Sequence, residues 1–324
     1  MEAKAALAND LTAINSTNHG FNEGLLNRLR FLMQTKGLTQ RKVAMMLNRS
    51  TTAVSQYLNK VYAGSITDIE KDVEALLKKY ESADFPYQEP KFCETPTTKE
   101  IFEVFRFCEK RGDMGVVIGR SGVSKTFTAQ EFVRQDRTAV YIVCDITTRH
   151  CGAILYEFAR KIGVLPASKS KSKLLHAIID RLQDSRRLLI FDEAHFLTWE
   201  AFEAIRTIHD ATEIGIVYLG QPRLYIQMRG KSDSYLWDQI FSRIGIRRHV
   251  KGVCKADVEI IARSIYPRID GDCLDFLFKL SQGPGALRRM AKLLKGALVI
   301  HETMKVPVSR KLLREVNDKL FGEY

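Results

Sequence analysis

Apolar and polar positions follow two rhythms along this chain, and the changes of rhythm divide it. Up to residue 80 apolar side chains recur every three or four positions, the repeat of helices buried along one stripe. Phe21, Leu25, Leu26, Leu29, Leu32 and Met33 form one such stripe, and Gly37 ends it. A second helix is expected over Leu38–Leu47, capped by Thr39, with Val43 and Ala44 on its inner face. The short connection Asn48-Arg49-Ser50 leads into a third helix, Thr51–Asn59, packed down by Val54 and Leu58. Glu81–Pro90 has two prolines and little periodicity, so it reads as a linker. Beyond it, short β-branched runs alternate with helical patterns, which predicts a parallel sheet. Past Gly252 the pattern is helical again. The expected architecture is α/β: an all-α domain over 1–80, a linker over 81–95, a parallel-sheet core over 96–252 and a small helical lid over 253–324.

Charge adds a partner to this picture. The 324 residues carry 50 Lys and Arg against 38 Asp and Glu, a net charge of +12, which points to a polyanion such as nucleic acid. The Leu38–Asn59 pattern resembles the phage-repressor helix-turn-helix family. That resemblance turns Thr51, Thr52, Ser55 and Gln56 toward a major groove and places Arg49 and Lys60 near phosphates. A protein-binding helical bundle would show the same packing. A second basic region runs from Arg160 to Arg187, where Arg160, Lys161, Lys169, Lys171, Lys173, Arg181, Arg186 and Arg187 face only Asp180 and Asp184. Within it Lys169-Ser-Lys-Ser-Lys173 reads as a flexible cationic stretch suited to tracking a phosphate backbone, or else as a solvated loop. Met1–Asp10 shows no signal peptide, and no apolar run reaches the ~18 residues of a membrane span. The six cysteines form no CxxC pair. These features lead to the expectation of a soluble, cytoplasmic protein with reduced thiols and no membrane partner.

The chemistry concentrates at Gly119-Arg120-Ser121-Gly122-Val123-Ser124-Lys125-Thr126, which follows the apolar run Met114–Ile118. A strand, a glycine-containing loop and a Lys-Thr pair opening a helix form a P-loop, whose backbone N–H groups and helix N-terminus cradle phosphates. Lys125 would reach the β- and γ-phosphates of ATP, and the Thr126 hydroxyl would hold Mg²⁺. Ser124 stands where the motif has its second glycine, which brings a Cβ into a place of close approach. The partner motif is Arg187-Leu-Leu-Ile-Phe-Asp192-Glu193, a buried strand ending in two acids. Asp192 would hold Mg²⁺ through water and Glu193 would polarise the attacking water. The interval back to Lys125 leaves room for a helix, the strand Ala139–Cys144 and another helix. Asp192-Glu193-Ala194-His195 also spells a helicase signature, but the chain is too short for two RecA-like domains, and His195 reads as a helix-start residue close to the site.

Three further positions complete the set. Ile214–Leu219 is another buried strand, and Gln221 just past its tip is the candidate for the water-holding sensor 1 of AAA+ ATPases. In Phe241-Ser242-Arg243-Ile244, Arg243 fits an arginine finger offered to a neighbouring subunit. In Gly283-Pro-Gly-Ala-Leu-Arg288, Arg288 resembles sensor 2, with Arg289 pointing elsewhere on the helix.

Taken together, the helix-turn-helix, Pro90-Lys-Phe-Cys-Glu-Thr95, the P-loop, Asp192-Glu193, Phe241–Ile244 and Pro284–Arg288 resemble the target-DNA activator family of Mu-type transposable bacteriophages. The insertion-sequence and transposon ATPases IstB and TnsC are more distant relatives. Ser124 and Gln221 depart from the pattern, where that family has glycine and asparagine. The resemblance implies an ATP-dependent, largely sequence-nonspecific DNA-binding ATPase that forms a helical homo-oligomeric filament on double-stranded DNA. It further implies delivery of target DNA to a transposase, stimulation of strand transfer, and hydrolysis that clears DNA near the element itself. Two alternatives share the motifs: an ATP-switched helix-turn-helix transcriptional regulator, and a helicase-loading ATPase of replication.

Overall fold

Asn22 starts the first helix, α1 (Glu23–Lys36): its side chain accepts the Leu25 N–H at 3.0 Å, and Gly37 ends the helix in the left-handed region at φ 61°. In the computed structural model, which describes residues 20–83, 92–164, 170–229 and 234–322, the same local rules set α2 (Gln40–Met46) and α3 (Thr51–Leu58). Thr39 caps α2 through the Lys42 N–H, and Ser50 caps α3 through the Ala53 N–H. A longer helix, α4 (Ile66–Ala83), closes the bundle. Leu25, Leu26, Leu29, Val43, Ala44, Val54, Leu58, Ile69 and Val73 form its core. The largest side chain in that core is Tyr57, fully buried, which the apolar pattern of α3 did not single out.

This bundle belongs to the first of two compact units, Met1–Tyr87; the second is Gln88–Tyr324. Most of the expected linker, and Met1–Asp10, lie outside the described residues. At the linker's two ends, α4 runs to Ala83, while Phe92 packs on Phe102 and Thr95 caps the next helix with a reciprocal Thr98 bond.

The second unit opens with α5 (Pro96–Arg111), followed by β1 (Met114–Gly119), α6 (Lys125–Gln135), β2 (Val140–Val143), α7 (Cys151–Lys161) and α8 (Lys171–Leu182). Then come β3 (Leu188–Asp192), a 3-10 turn at Ala194–Phe196, α9 (Trp199–Thr212), β4 (Gly215–Gly220), α10 (Pro222–Arg229), α11 (Ser234–Ser242) and β5 (Ile244–Val250). Four helices finish the chain: α12 (Lys255–Ile265), α13 (Gly271–Ser281), α14 (Ala286–Met304) and α15 (Arg310–Phe321).

The five strands are all parallel, in the order β2-β3-β4-β1-β5. Strand period sorts their side chains between two cores. Val117, Leu188, Ile190, Val217 and Leu219 face α5, α6 and the helices after β5. Val116, Ile118, Leu189, Phe191, Ile216 and Tyr218 face α7 to α11. With both faces covered, the central strands are apolar throughout, which is why they were readable as runs.

Asp257 ties the last four helices to the rest. Fully buried, it accepts from the Thr97 N–H and hydroxyl at 3.1 and 2.7 Å and from the Cys254 N–H at 2.9 Å. These bonds keep its carboxyl below its usual pKa despite burial. Among the described residues no helix is long and apolar enough to cross a membrane.

Candidate functional site

In open α/β sheets, ligands sit beyond the carboxyl ends of the strands where the strand order reverses. Here that place is the tip of β1, between β4 and β5. The loop leaving β1 reaches α6 through Ser124, which has no side-chain cap bond, so the first-turn N–H groups of α6 have no cap and face outward. A cleft of about 330 Å³ opens there, lined by Ser121, Gly122, Ser124, Lys125, Thr126, Gln130, Glu193 and Arg288, with Cys93, Phe127, Ile261, Leu287 and Ala291 on its apolar side. Gly119, Arg120 and Val123 complete the loop. The carbonyls of Gly119 and Arg120 accept from Lys125 Nζ at 2.8 and 3.0 Å, and Val123 is buried beneath.

Lys125 is itself buried, and desolvation lowers its pKa, opposed by Glu193 and Asp192. An ammonium resting on carbonyls of its own loop is one that an anion would recruit. Together with the uncapped start of α6 and Arg288, it fits the residues present to a nucleoside triphosphate, and the apolar side fits a base. Ser124 keeps the conformation the missing glycine would have taken, at φ 67°.

Asp192 ends β3 at 1% exposure. One carboxylate oxygen accepts the Glu193 N–H at 2.8 Å and the other accepts the Tyr141 hydroxyl at 2.8 Å. Tyr141 was not singled out from the sequence; on β2, hydrogen-bonded beside β3, it is aimed at this carboxylate by strand pairing. Glu193 follows in a left-handed conformation at φ 54°. Burial raises its pKa, and the charge of Asp192 raises it further against Lys125, Arg223 and Arg288. Left-handed non-glycine residues at both Ser124 and Glu193 concentrate backbone strain at the site.

The other expected positions divide. Arg288 lies in the cleft, while Arg289 turns away to Asn317 and the Phe321 ring. Gln221 stands past the tip of β4, its N–H 3.4 Å from His195 Nδ1. Arg243 is outside the cleft, bound to Asp210 at 2.6 Å. Arg223 on α10, unforeseen, adds positive potential near Glu193 and His195 and lies over the Phe196 ring at 4.9 Å.

In the basic surfaces, the Arg49 guanidinium holds Asp72 at 2.6 and 2.8 Å and the Tyr62 hydroxyl at 3.2 Å, bracing the turn against α4. Lys60 likewise pairs with Glu23. On α3, Thr51 and Thr52 are exposed and Ser55 and Gln56 half-buried. Lys169 lies outside the described residues, but Lys171 and Lys173 are exposed in the first turn of α8 and do not belong to a loop. The apolar stripe Leu174, Ile178 and Leu182 explains the helix.

A parallel sheet in this order, a phosphate loop after β1, an acidic pair at the end of β3 and a lid arginine in one cleft define the AAA+ P-loop class. A model of the AAA domain matches residues 108–228, and a model of the C-terminal part of the Mu B transposition protein matches 242–320. The chain is 32% identical over 298 residues to the ATP-dependent target DNA activator B of Escherichia phage Mu, covering 89% of this chain and 94% of that one. It is 30% identical over 267 residues to the Mu-like prophage FluMu DNA transposition protein B of Haemophilus influenzae, covering 82% and 93%. This chain belongs to the Mu B family of DNA transposition proteins. Among solved structures, domain III of the replication initiation protein DnaA from Thermotoga maritima is similar, with a TM-score of 0.48 at 16% identity over 72% of this chain and 95% of that one.

Proposed function

We propose that this protein is an ATP-hydrolysing activator of target DNA in transposition, binding duplex DNA with little regard to sequence when ATP is bound. The observation that carries the reading is the meeting of Lys125, Thr126, Glu193 and Arg288 in one cleft of a Mu B family chain. Lys125 and the first-turn N–H groups of α6 bind the phosphates, and Arg288 senses the terminal one from the lid. Thr126 and Asp192 are the residues to hold Mg²⁺, which when bound draws charge from the phosphate oxygens. Glu193 accepts the proton of the attacking water, and Gln221 at the β4 tip orients that water.

Arg243 is the candidate finger. Outside its own cleft, it can serve only a neighbour's nucleotide, after release from Asp210. A finger role requires a homo-oligomer, and the family relationship favours a helical filament on DNA that engages a transposase and steers target choice. Phosphate tracking is assigned to Lys171 and Lys173, with Lys169 beside them, and any base preference to Thr51, Thr52, Ser55 and Gln56. Arg49 would reach phosphate only after release from Asp72.

The test is DNA affinity against salt on several unrelated duplexes with ATP present. Steep and equal salt dependence on all of them is expected. Alanine at Lys169, Lys171 and Lys173 should reduce the slope by about 0.9 for each phosphate left without its lysine. Tight binding to one sequence alone would favour the transcriptional regulator instead.

A further inference from the structure

His195, the last residue of Asp192-Glu193-Ala194-His195, has no place in the scheme so far. It lies on the 3-10 turn after β3 with its side chain 0% exposed, stacked on Phe196 at 4.6 Å between ring centroids. A buried imidazole needs partners for its nitrogens. Nδ1 stands 3.3 Å from Glu193 Oε2 and 3.4 Å from the Gln221 nitrogen. Nδ1 is placed to accept the Gln221 backbone N–H, while Nε2 and Glu193 Oε2 are buried and have no hydrogen-bond partner among the described residues.

Nδ1 can serve only one neighbour. If it accepts from Gln221, its lone pair faces a carboxylate oxygen, and the ring proton sits on Nε2 with nothing to receive it. If it carries the proton, it can donate to Glu193, while the Gln221 N–H loses this acceptor and Nε2 keeps an unused lone pair. Each arrangement orphans one donor, but the first also sets a lone pair against a buried carboxylate oxygen, and a bond to a carboxylate is roughly twice as strong as a neutral one, which favours the second. Burial, with Arg223 and Lys125 nearby, also keeps the ring neutral, its pKa pushed down to about 4.

We propose that His195 is a positioning residue: its Nδ1–H holds one carboxylate oxygen of Glu193 and so aims the other into the nucleotide cleft. This rests on Glu193 being the base for hydrolysis. In that step the water oxygen bonds to the terminal phosphorus, the bond to the bridging oxygen breaks, and the water proton passes to the free oxygen of Glu193. His195 neither gains nor loses a proton. The held carboxylate sits on a residue whose left-handed backbone limits its other rotamers, and Glu193 is the acidic residue lining the cleft among those described.

The experiment compares His195→Asn with His195→Leu in the full chain, measuring ATP binding, kcat and KM. The two side chains have nearly the same shape, but only asparagine places an N–H where Nδ1 was. Both should bind ATP as wild type does; asparagine should keep most of kcat, and leucine should lose on the order of tenfold to a hundredfold. His195→Gln, polar but with its N–H displaced, should lose kcat as leucine does and serves if leucine fails to fold. Equal kcat for asparagine and leucine, or for asparagine and glutamine, overturns the proposal. Glu193→Gln separates the two levels. Normal turnover in that variant removes the base assignment itself, whereas lost turnover beside equal His195 variants removes only the role of His195.

Discussion

Gly122 of the phosphate loop lies against Gly285 at the start of α14 so closely that a Cβ on Gly122 would stand 2.2 Å from the Gly285 carbonyl oxygen. The Leu287 N–H then donates to the Gly122 carbonyl at 3.2 Å, and Arg288 follows directly into the cleft. Loop and lid thus meet backbone to backbone, and the lid arginine is placed by the loop proposed to bind phosphate. Gly122 is also at φ 88°, a conformation that side chains resist. Gly122→Ala should therefore cost about 2 kcal/mol or more and weaken ATP binding together with it. Thermal unfolding and nucleotide titration check this; unchanged ATP affinity would show that the close approach is dispensable.

Ser124 holds a left-handed conformation with a Cβ to accommodate. Ser124→Gly should relieve about 1 kcal/mol of that strain and raise the melting temperature of the second unit by on the order of 2–4 °C. Calorimetry decides it. A lowered melting temperature would mean that the serine makes a compensating contact and that its departure from the P-loop pattern is a stabilising one.

The Tyr141 hydroxyl fixes one oxygen of Asp192. Tyr141→Phe keeps the ring and removes that bond. The concentration of Mg²⁺ needed for half-maximal nucleotide binding should rise about tenfold, as for other residues that orient a metal's ligands. Binding at saturating Mg²⁺ should be nearly normal. An unchanged Mg²⁺ requirement would take Asp192 out of the metal site or Tyr141 out of its support.

Glu109 on α5 has its pKa raised to about 7, chiefly by burial and then by its hydrogen bond and repulsion with Asp136 at the end of α6. A carboxyl whose folded pKa lies above its unfolded one stabilises the fold fully below the unfolded value, and the stabilisation is lost as pH rises through the folded value. The contribution of Glu109 should fade between about pH 4.5 and 7. Glu109→Gln should flatten the stability profile over that window, as read by denaturant titration at stepped pH. An identical slope in the variant would place the proton elsewhere.

Much of this molecule was readable because its central elements are buried on both sides. β1, β3 and β4 appear as apolar runs, and motif residues sit at the tips of β1 and β3, so Lys125, Asp192 and Glu193 could be named from spacing, and Arg288 on α14 from its resemblance to sensor 2. β5 was not foreseen. As an edge strand it pairs only with β1, and Arg247, Arg248 and His249 give it the look of a charged loop. Such charge is what keeps an edge from pairing with foreign strands. The Lys169–Lys173 run misled in the opposite direction, because its charges hid the helix start that Leu174, Ile178 and Leu182 stabilise. The bond between Arg49 and Asp72 was not legible, because the two lie a helix apart and no local pattern joins them. Tyr141 and His195 were missed as participants for the same reason: their roles depend on distances between strand tips.

The central claim is that nucleotide in the Lys125 cleft controls DNA binding by the whole assembly. Electron microscopy of the protein on random-sequence duplex DNA tests it most directly, with and without ATP, beside the Lys125→Ala and Glu193→Gln variants. The account predicts coated DNA for wild type only with ATP, none for Lys125→Ala, and longer-lived coating for Glu193→Gln, which binds ATP but does not turn it over. Coating that is the same without ATP, or that survives Lys125→Ala, would contradict it.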